Sequence, residues 1–172
     1  MIIAAKNAEG REDINFALSM ANIDGYYYKP RIDLELLFNI PKENVIVTSA
    51  CIAGWNYEDA EDIWLKIHKY FGDNFFLEVQ YHNTDKQKEL NKKILRIAKE
   101  NNIQIICGLD SHYVKEENSI KRDQILKYKN INYPDEEGWY LDYPDTKTVI
   151  KRFEEQGILN KEEIYRAIMN TN

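Results

Sequence analysis

An α/β fold of mainly parallel strands alternating with helices is predicted by three features: the apolar runs at 45–47 and 103–107, the alternating segment 75–80, and the stretches of helical period between them. At the start, Ile2, Ile3, Ala4 and Ala5 form a short apolar run, and Phe16, Ala17, Met20 and Ala21 follow at helical spacing, so a strand runs into a helix. Gly25 breaks that helix, and the chain re-enters another after Pro30, a short one carrying Leu34, Leu36 and Leu37. Val45-Ile46-Val47 has the composition of a buried strand, opening into the small-residue loop Thr48 to Gly54. Ile63, Trp64, Ile67 and Tyr70 mark a helix over 57–70 that Gly72 stops. The next strand puts Phe75, Leu77 and Val79 on one face and Phe76, Glu78 and Gln80 on the other. A long helix over 86–101, with Leu90, Ile94, Ile97 and Ala98 inward, delivers the chain to the strand 103–107. A helix over about 116–128, an irregular Tyr/Pro/Asp-rich stretch to Asp145 and two helices separated by Gly157 complete the reading.

With 172 residues, 44% of them hydrophobic and 30% charged, the chain has enough material for one good core, and a single domain over 1–172 is expected. Nowhere does an apolar run approach the ~20 residues of a membrane span, and the opening segment is short for a signal peptide, so a soluble cytoplasmic protein without a membrane partner is expected. A net charge of −6 argues against holding DNA through a general electrostatic field, so any DNA contact is local or indirect. The two cysteines read as free thiols or a metal ligand rather than a disulfide. Because no glycine-rich phosphate loop occurs, nucleoside triphosphate binding has no support.

Asp110 and His112 follow directly on the strand 103–107, and their side chains project to one side if the chain stays extended. A carboxylate and an imidazole so placed can share one divalent metal, although an Asp capping a helix beside a solvated His has the same spacing. Cys51 stands in the equivalent place after the strand 45–49, as a third ligand or as a small buried hydrophobe; Cys107, inside its strand, is assigned to the core. Glu78, Gln80 and His82 share a strand face, either toward a polar interior or along the wet face of an edge strand. Lys29 and Arg31 flank Pro30 where they could reach a phosphate, with solvated side chains as the plainer outcome, and His68 reads as a surface residue.

Taken in order, Ala5-Lys6-Asn7, Gly25-Tyr26-Tyr27-Tyr28-Lys29-Pro30-Arg31-Ile32-Asp33, Thr48-Ser49-Ala50-Cys51-Ile52-Ala53-Gly54, Phe76-Leu77-Glu78-Val79-Gln80 and Asp110-Ser111-His112-Tyr113 closely resemble the PHP (polymerase and histidinol phosphatase) domain of bacterial DNA polymerase III alpha subunits. Trp139-Tyr140-Leu141 and the closing helices resemble the segment leading toward the polymerase palm, so the likeness spans nearly the whole chain. The resemblance implies a distorted β/α barrel that binds a cluster of divalent metals, zinc or manganese, and in some members hydrolyses phosphoesters or proofreads DNA ends. Cys51, Asp110 and His112 match family metal positions. The His-x-His strand motif of the family's N-terminal half does not occur in these 172 residues, so the chain is expected to represent the C-terminal part of the domain, with an incomplete metal centre. Partners expected on this basis are the missing N-terminal half or a polymerase core, other replisome subunits, or a second copy of the chain. The readings carried forward are a replication-associated metal-binding segment, a catalytically inactive scaffold, and a small stand-alone phosphoesterase.

Overall fold

The computed structural model of the chain describes residues 1–133, 136 and 138–171, and its secondary structure is of the α/β class. The elements are β1 (Ile2–Ala5), α1 (Ala8–Ile23), α2 (Leu34–Phe38), β2 (Val45–Thr48), α3 (Ala60–Phe71), β3 (Phe75–Val79), α4 (Asp85–Asn101), β4 (Gln104–Cys107), α5 (Ser119–Tyr128), α6 (Thr146–Gln156) and α7 (Lys161–Met169), with short 3-10 turns between some of them. The strands lie in the order β1-β2-β3-β4. The chain divides into two compact units, Met1–Leu77 and Glu78–Asn172.

The helix ends follow side-chain chemistry. Asn7, Asp33, Thr84, Asp145 and Asn160 each accept a hydrogen bond from a backbone N–H in the first turn of α1, α2, α4, α6 and α7, which satisfies donors the helix itself leaves open. Gly72 and Gly157, both with positive φ, stop α3 and α6 as their sequence positions predict.

In the first unit β2 and β3 are parallel, with Val47 opposite Phe75, but β1 runs antiparallel to β2 with Ala5 opposite Val45. β1 is thus an antiparallel exception within the mainly parallel arrangement expected. A single crossover helix would return the chain to the end of the sheet where β1 began. Here the connection contains both α1 and α2 and re-enters beside the end of β1, where the Lys6 N–H donates to the Asn44 carbonyl at 2.8 Å. Gly10 makes that closure feasible, because a Cβ there would stand 2.2 Å from the same carbonyl oxygen. Only the small residues of α1, Ala17 and Ala21, are buried together with Gly10, whereas Phe16, which shares the predicted apolar spacing, is exposed. The core of this unit gathers Leu37, Val47, Trp64, Ile67, Phe71 and Phe75. β1 is the outermost strand of the order, with Met1 and Ile2 exposed.

In the second unit α4 buries Leu90, Ile94 and Ile97, the stripe its period predicts, and α7 covers the outer strand β4. The end of α7 also occupies the strand's polar edge, since Asn170 Nδ2 donates to the Ile105 carbonyl and the Cys107 N–H donates to Thr171 Oγ1. Cys107 is buried as predicted.

Candidate functional site

Glu78, Gln80 and His82 are all buried, His82 completely, so the alternative of a wet edge-strand face does not hold. Burying three polar side chains demands partners. Gln80 Nε2 donates to Glu78 Oε1 at 2.9 Å, and Gly108 supplies the space for that carboxylate, because a Cβ at 108 would lie 1.9 Å from Glu78 Oε1. Asn91 of α4 donates both to the Gln80 carbonyl and to Gln156 Oε1, while Gln156 Nε2 donates to the carbonyls of Gln80 and His82. The backbone beyond β3 is thereby held by amide side chains from two helices.

The His82 ring is gripped on three sides. The Tyr140 N–H donates to Nδ1 at 3.2 Å, the Trp139 ring stacks on the imidazole at 4.6 Å between centroids, and Nε2 faces Asp110 Oδ2 at 3.8 Å. Burial, with the nearby Arg152 and His112 charges, lowers the His82 pKa to about 4, so the ring is neutral at pH 7.

Asp110 does not continue the strand. Its φ of +51° turns the chain, so the extended geometry that would project residues 110 and 112 to one side is absent. Asp tolerates this left-handed conformation better than most residues, at some cost in strain. The turn lets His112 fold back, and since a carbonyl only accepts, its Nδ1 carries the proton donated to the Asp110 carbonyl at 2.8 Å. In the neutral ring this leaves the Nε2 lone pair uncommitted to that bond.

The segment 139–142 is a structural partner that the sequence did not announce. The Leu141 carbonyl accepts from the N–H groups of His112 and Tyr113, and Ser111 Oγ donates to the Asp142 carbonyl. Arg152 fixes this segment in turn, with a bidentate pair to Asp142 at 2.7 and 2.9 Å and its guanidinium 4.3 Å from the Tyr140 ring centroid. Trp139 and Tyr140 were legible as aromatics, but the grip of Tyr140 on His82 comes through a backbone donor, which has no sequence signature.

The remaining predicted residues belong to the first unit. Cys51 is half-buried at the start of a 3-10 turn whose Gly54 N–H donates back to its carbonyl, directly after Ala50 at φ +56°. Lys29 and Arg31 are exposed, and the Arg31 guanidinium lies 5.2 Å from the Tyr27 ring centroid. His68 is not a plain surface residue, because it is half-buried with its ring 6.1 Å from that of Phe75. Among the described residues no group of three or more His, Cys, Asp or Glu side chains is placed to hold a metal ion.

Residues 1–82 match the family model described as the PHP domain. Among curated proteins the chain is similar to DNA polymerase III subunit alpha of Borreliella burgdorferi, 34% identical over 73% of this chain and 12% of that protein, and of Treponema pallidum, 35% identical over 73% and 12%. The subunit of Aquifex aeolicus is 34% identical over 68% of this chain and 11% of its own length. The chain thus spans about an eighth of the length of the curated relatives it matches. No helix among the described residues is long and apolar enough to cross a membrane.

Proposed function

We propose, from the premise that the chain belongs to the PHP family as it occurs in DNA polymerase III alpha subunits, that it is a replication-associated PHP segment contributing ligands to a divalent-metal, phosphoesterase-type centre. The observation that carries this reading is the donor set of the turn after β4. Asp110 offers a carboxylate backed by a buried imidazole, and His112, with Nδ1 bonded to the Asp110 carbonyl, has its Nε2 lone pair to offer. One hard oxygen and one borderline nitrogen fit zinc or manganese, and Cys51, in the first unit, stays a candidate ligand on the family resemblance alone. A metal bound there would supply Lewis-acid polarisation of a phosphoryl oxygen. Asp110, faced by the His82 ring, and His112, its Nδ1 bonded to the Asp110 carbonyl, would hold it, within the distorted barrel that the family resemblance implies. Lys29 and Arg31, exposed cations, remain candidates for a phosphate contact.

The test is zinc and manganese uptake by the chelator-treated full chain. Binding that is lost in Asp110→Asn and His112→Ala supports the reading, and absence of binding in the unaltered chain overturns it. Because two or three donors leave a multinuclear centre incomplete, phosphatase and exonuclease turnover with either metal is expected to be slight. Robust turnover that disappears in His112→Ala would instead make this a small hydrolase.

A second reading, an inactive scaffold that docks onto a polymerase core or other replisome subunits, is favoured by the absence of a three-ligand group among the described residues. Failure to bind either metal, with the fold intact, selects it.

A further inference from the structure

We infer that His82 is a positioning residue for the Asp110 carboxylate and is itself excluded from metal ligation, because the Tyr140 N–H occupies Nδ1 and places the single ring proton on Nε2, facing Asp110. This inference deepens the metal reading of the Asp110–His112 turn and rests on it.

The separation between His82 Nε2 and Asp110 Oδ2, 3.8 Å, is ambiguous on distance alone. It is beyond hydrogen-bond length, yet two ligands of one metal, each about 2.1 Å from it, could also stand that far apart. The tautomer decides between these. An imidazole whose Nδ1 accepts an amide hydrogen has no proton left to lose from Nε2 except by becoming an anion, so Nε2 serves as a donor and carries no lone pair for a metal. The ring is fully buried and stacked against Trp139, which restricts it from turning to offer its other edge.

The consequence is a division of labour between two histidines. His112 presents Nε2 as an acceptor because its Nδ1 donates to the Asp110 carbonyl, while His82 presents Nε2 as a donor because its Nδ1 accepts from Tyr140. Asp110 lies between them, its backbone oxygen held by one ring and its carboxylate addressed by the other. Nε2 has no hydrogen-bond partner among the described residues, so a small rotation of the Asp110 side chain, or one bridging water, satisfies a buried donor and fixes a carboxylate oxygen together. Partners of this kind commonly change metal affinity about 10- to 100-fold when removed.

The experiment is nitrogen-15 NMR of the full chain labelled in its three histidines, without and with zinc, combined with zinc affinity measured by competition with a chelating dye. His82 is expected with its proton on Nε2 in both states, while the His112 Nε2 signal moves on zinc addition. His82→Gln, whose amide can stand at the Nε2 position as a donor, is expected to retain zinc affinity within about threefold. His82→Asn keeps a group near Nδ1 for Tyr140 but lacks the donor toward Asp110, and about a tenfold or greater loss is expected. Far-ultraviolet circular dichroism verifies that both variants fold. A proton on Nδ1 of His82, or direct zinc coordination by its Nε2, overturns the inference whatever the affinity. Equal affinities for the Gln and Asn variants overturn it too. A chain that takes up no zinc removes the metal reading and the positioning role together, but the apo tautomer measurement identifies which of the two premises failed.

Discussion

Cys51 and Asp110 occupy comparable backbone settings and very different surroundings. Each belongs to a turn after a strand, and each turn contains a non-glycine residue in the left-handed region, Ala50 in one and Asp110 itself in the other. The Cys51 turn is secured by short-range bonds, Ala50 N–H to Thr48 Oγ1 and Gly54 N–H to the Cys51 carbonyl, and by Gly54 fitting against Trp64. The Asp110 turn is secured from afar, by the 139–142 segment and through it by Arg152, and a buried histidine faces its carboxylate. A donor that must hold one direction needs such a support, whereas a thiol on a self-contained turn can be a ligand or only a packing residue.

The comparison breaks most directly at Gln156. Replacing it by Leu removes the donor to the Gln80 and His82 carbonyls and the acceptor for Asn91, all in a buried setting. A stability loss of about 3 kcal/mol is expected from groups left unsatisfied, read as a lower urea midpoint. Cys51→Ala should cost about 1 kcal/mol or less, since only a half-buried thiol is removed. Equal losses would mean that the second turn is no better supported than the first.

What was legible in the sequence and what was not divides along the same line. Periodicity located the strands and helices, because that signal is local, whereas the strand face read for Glu78, Gln80 and His82 stops short, since β3 ends at Val79 and the last two lie beyond it. The antiparallel start was hidden, since it depends on where the excursion between β1 and β2 ends, fixed by Lys6, Gly10 and Asn44. The grip of Tyr140 on His82, across 58 positions and through a backbone N–H, is invisible to any reading of side-chain types. Phe16 misled because a 3.6-residue period identifies an apolar face without saying that small residues alone would be buried on it. Asp110 and His112 were paired by spacing, but through an extended geometry that the left-handed turn replaces.

The two cysteines sharpen the comparison through pH. Burial, with the nearby Glu78 carboxylate, pushes the Cys107 thiol up to about 12, against 9 in its ordinary state. The unfolded chain therefore loses that proton first, so Cys107 contributes stability that is present below pH 9 and lost as pH rises from about 9 toward 12. The slope approaches about 1.4 kcal/mol per pH unit in that window. Cys107→Ala should flatten the alkaline limb of the urea-midpoint profile. At pH 8 iodoacetamide is expected to modify Cys51 well before Cys107, as mass spectrometry of peptides would read directly. Reversed labelling would show that the second unit opens more readily than its buried network implies.

The smallest expected effect distinguishes strain that serves a donor from strain that does not. Ala50 at φ +56° has a Cβ crowded against its own backbone, at about 1 kcal/mol relative to glycine, and its methyl is only half-buried. Ala50→Gly relieves that crowding and gives back part of the gain through the greater freedom of glycine in the unfolded chain, so a net stabilisation of a few tenths to about 1 kcal/mol is expected. At Asp110 the same relief comes with removal of the carboxylate, so Asp110→Gly should leave stability within about 1 kcal/mol of the unaltered chain and abolish zinc uptake. Urea midpoints and dye competition on the two variants read both quantities. If Ala50→Gly destabilises by more than about 1 kcal/mol, the methyl is packed to some purpose and the Cys51 turn is better supported than its short-range bonds indicate. If Asp110→Gly retains zinc, the carboxylate that faces His82 is not the ligand.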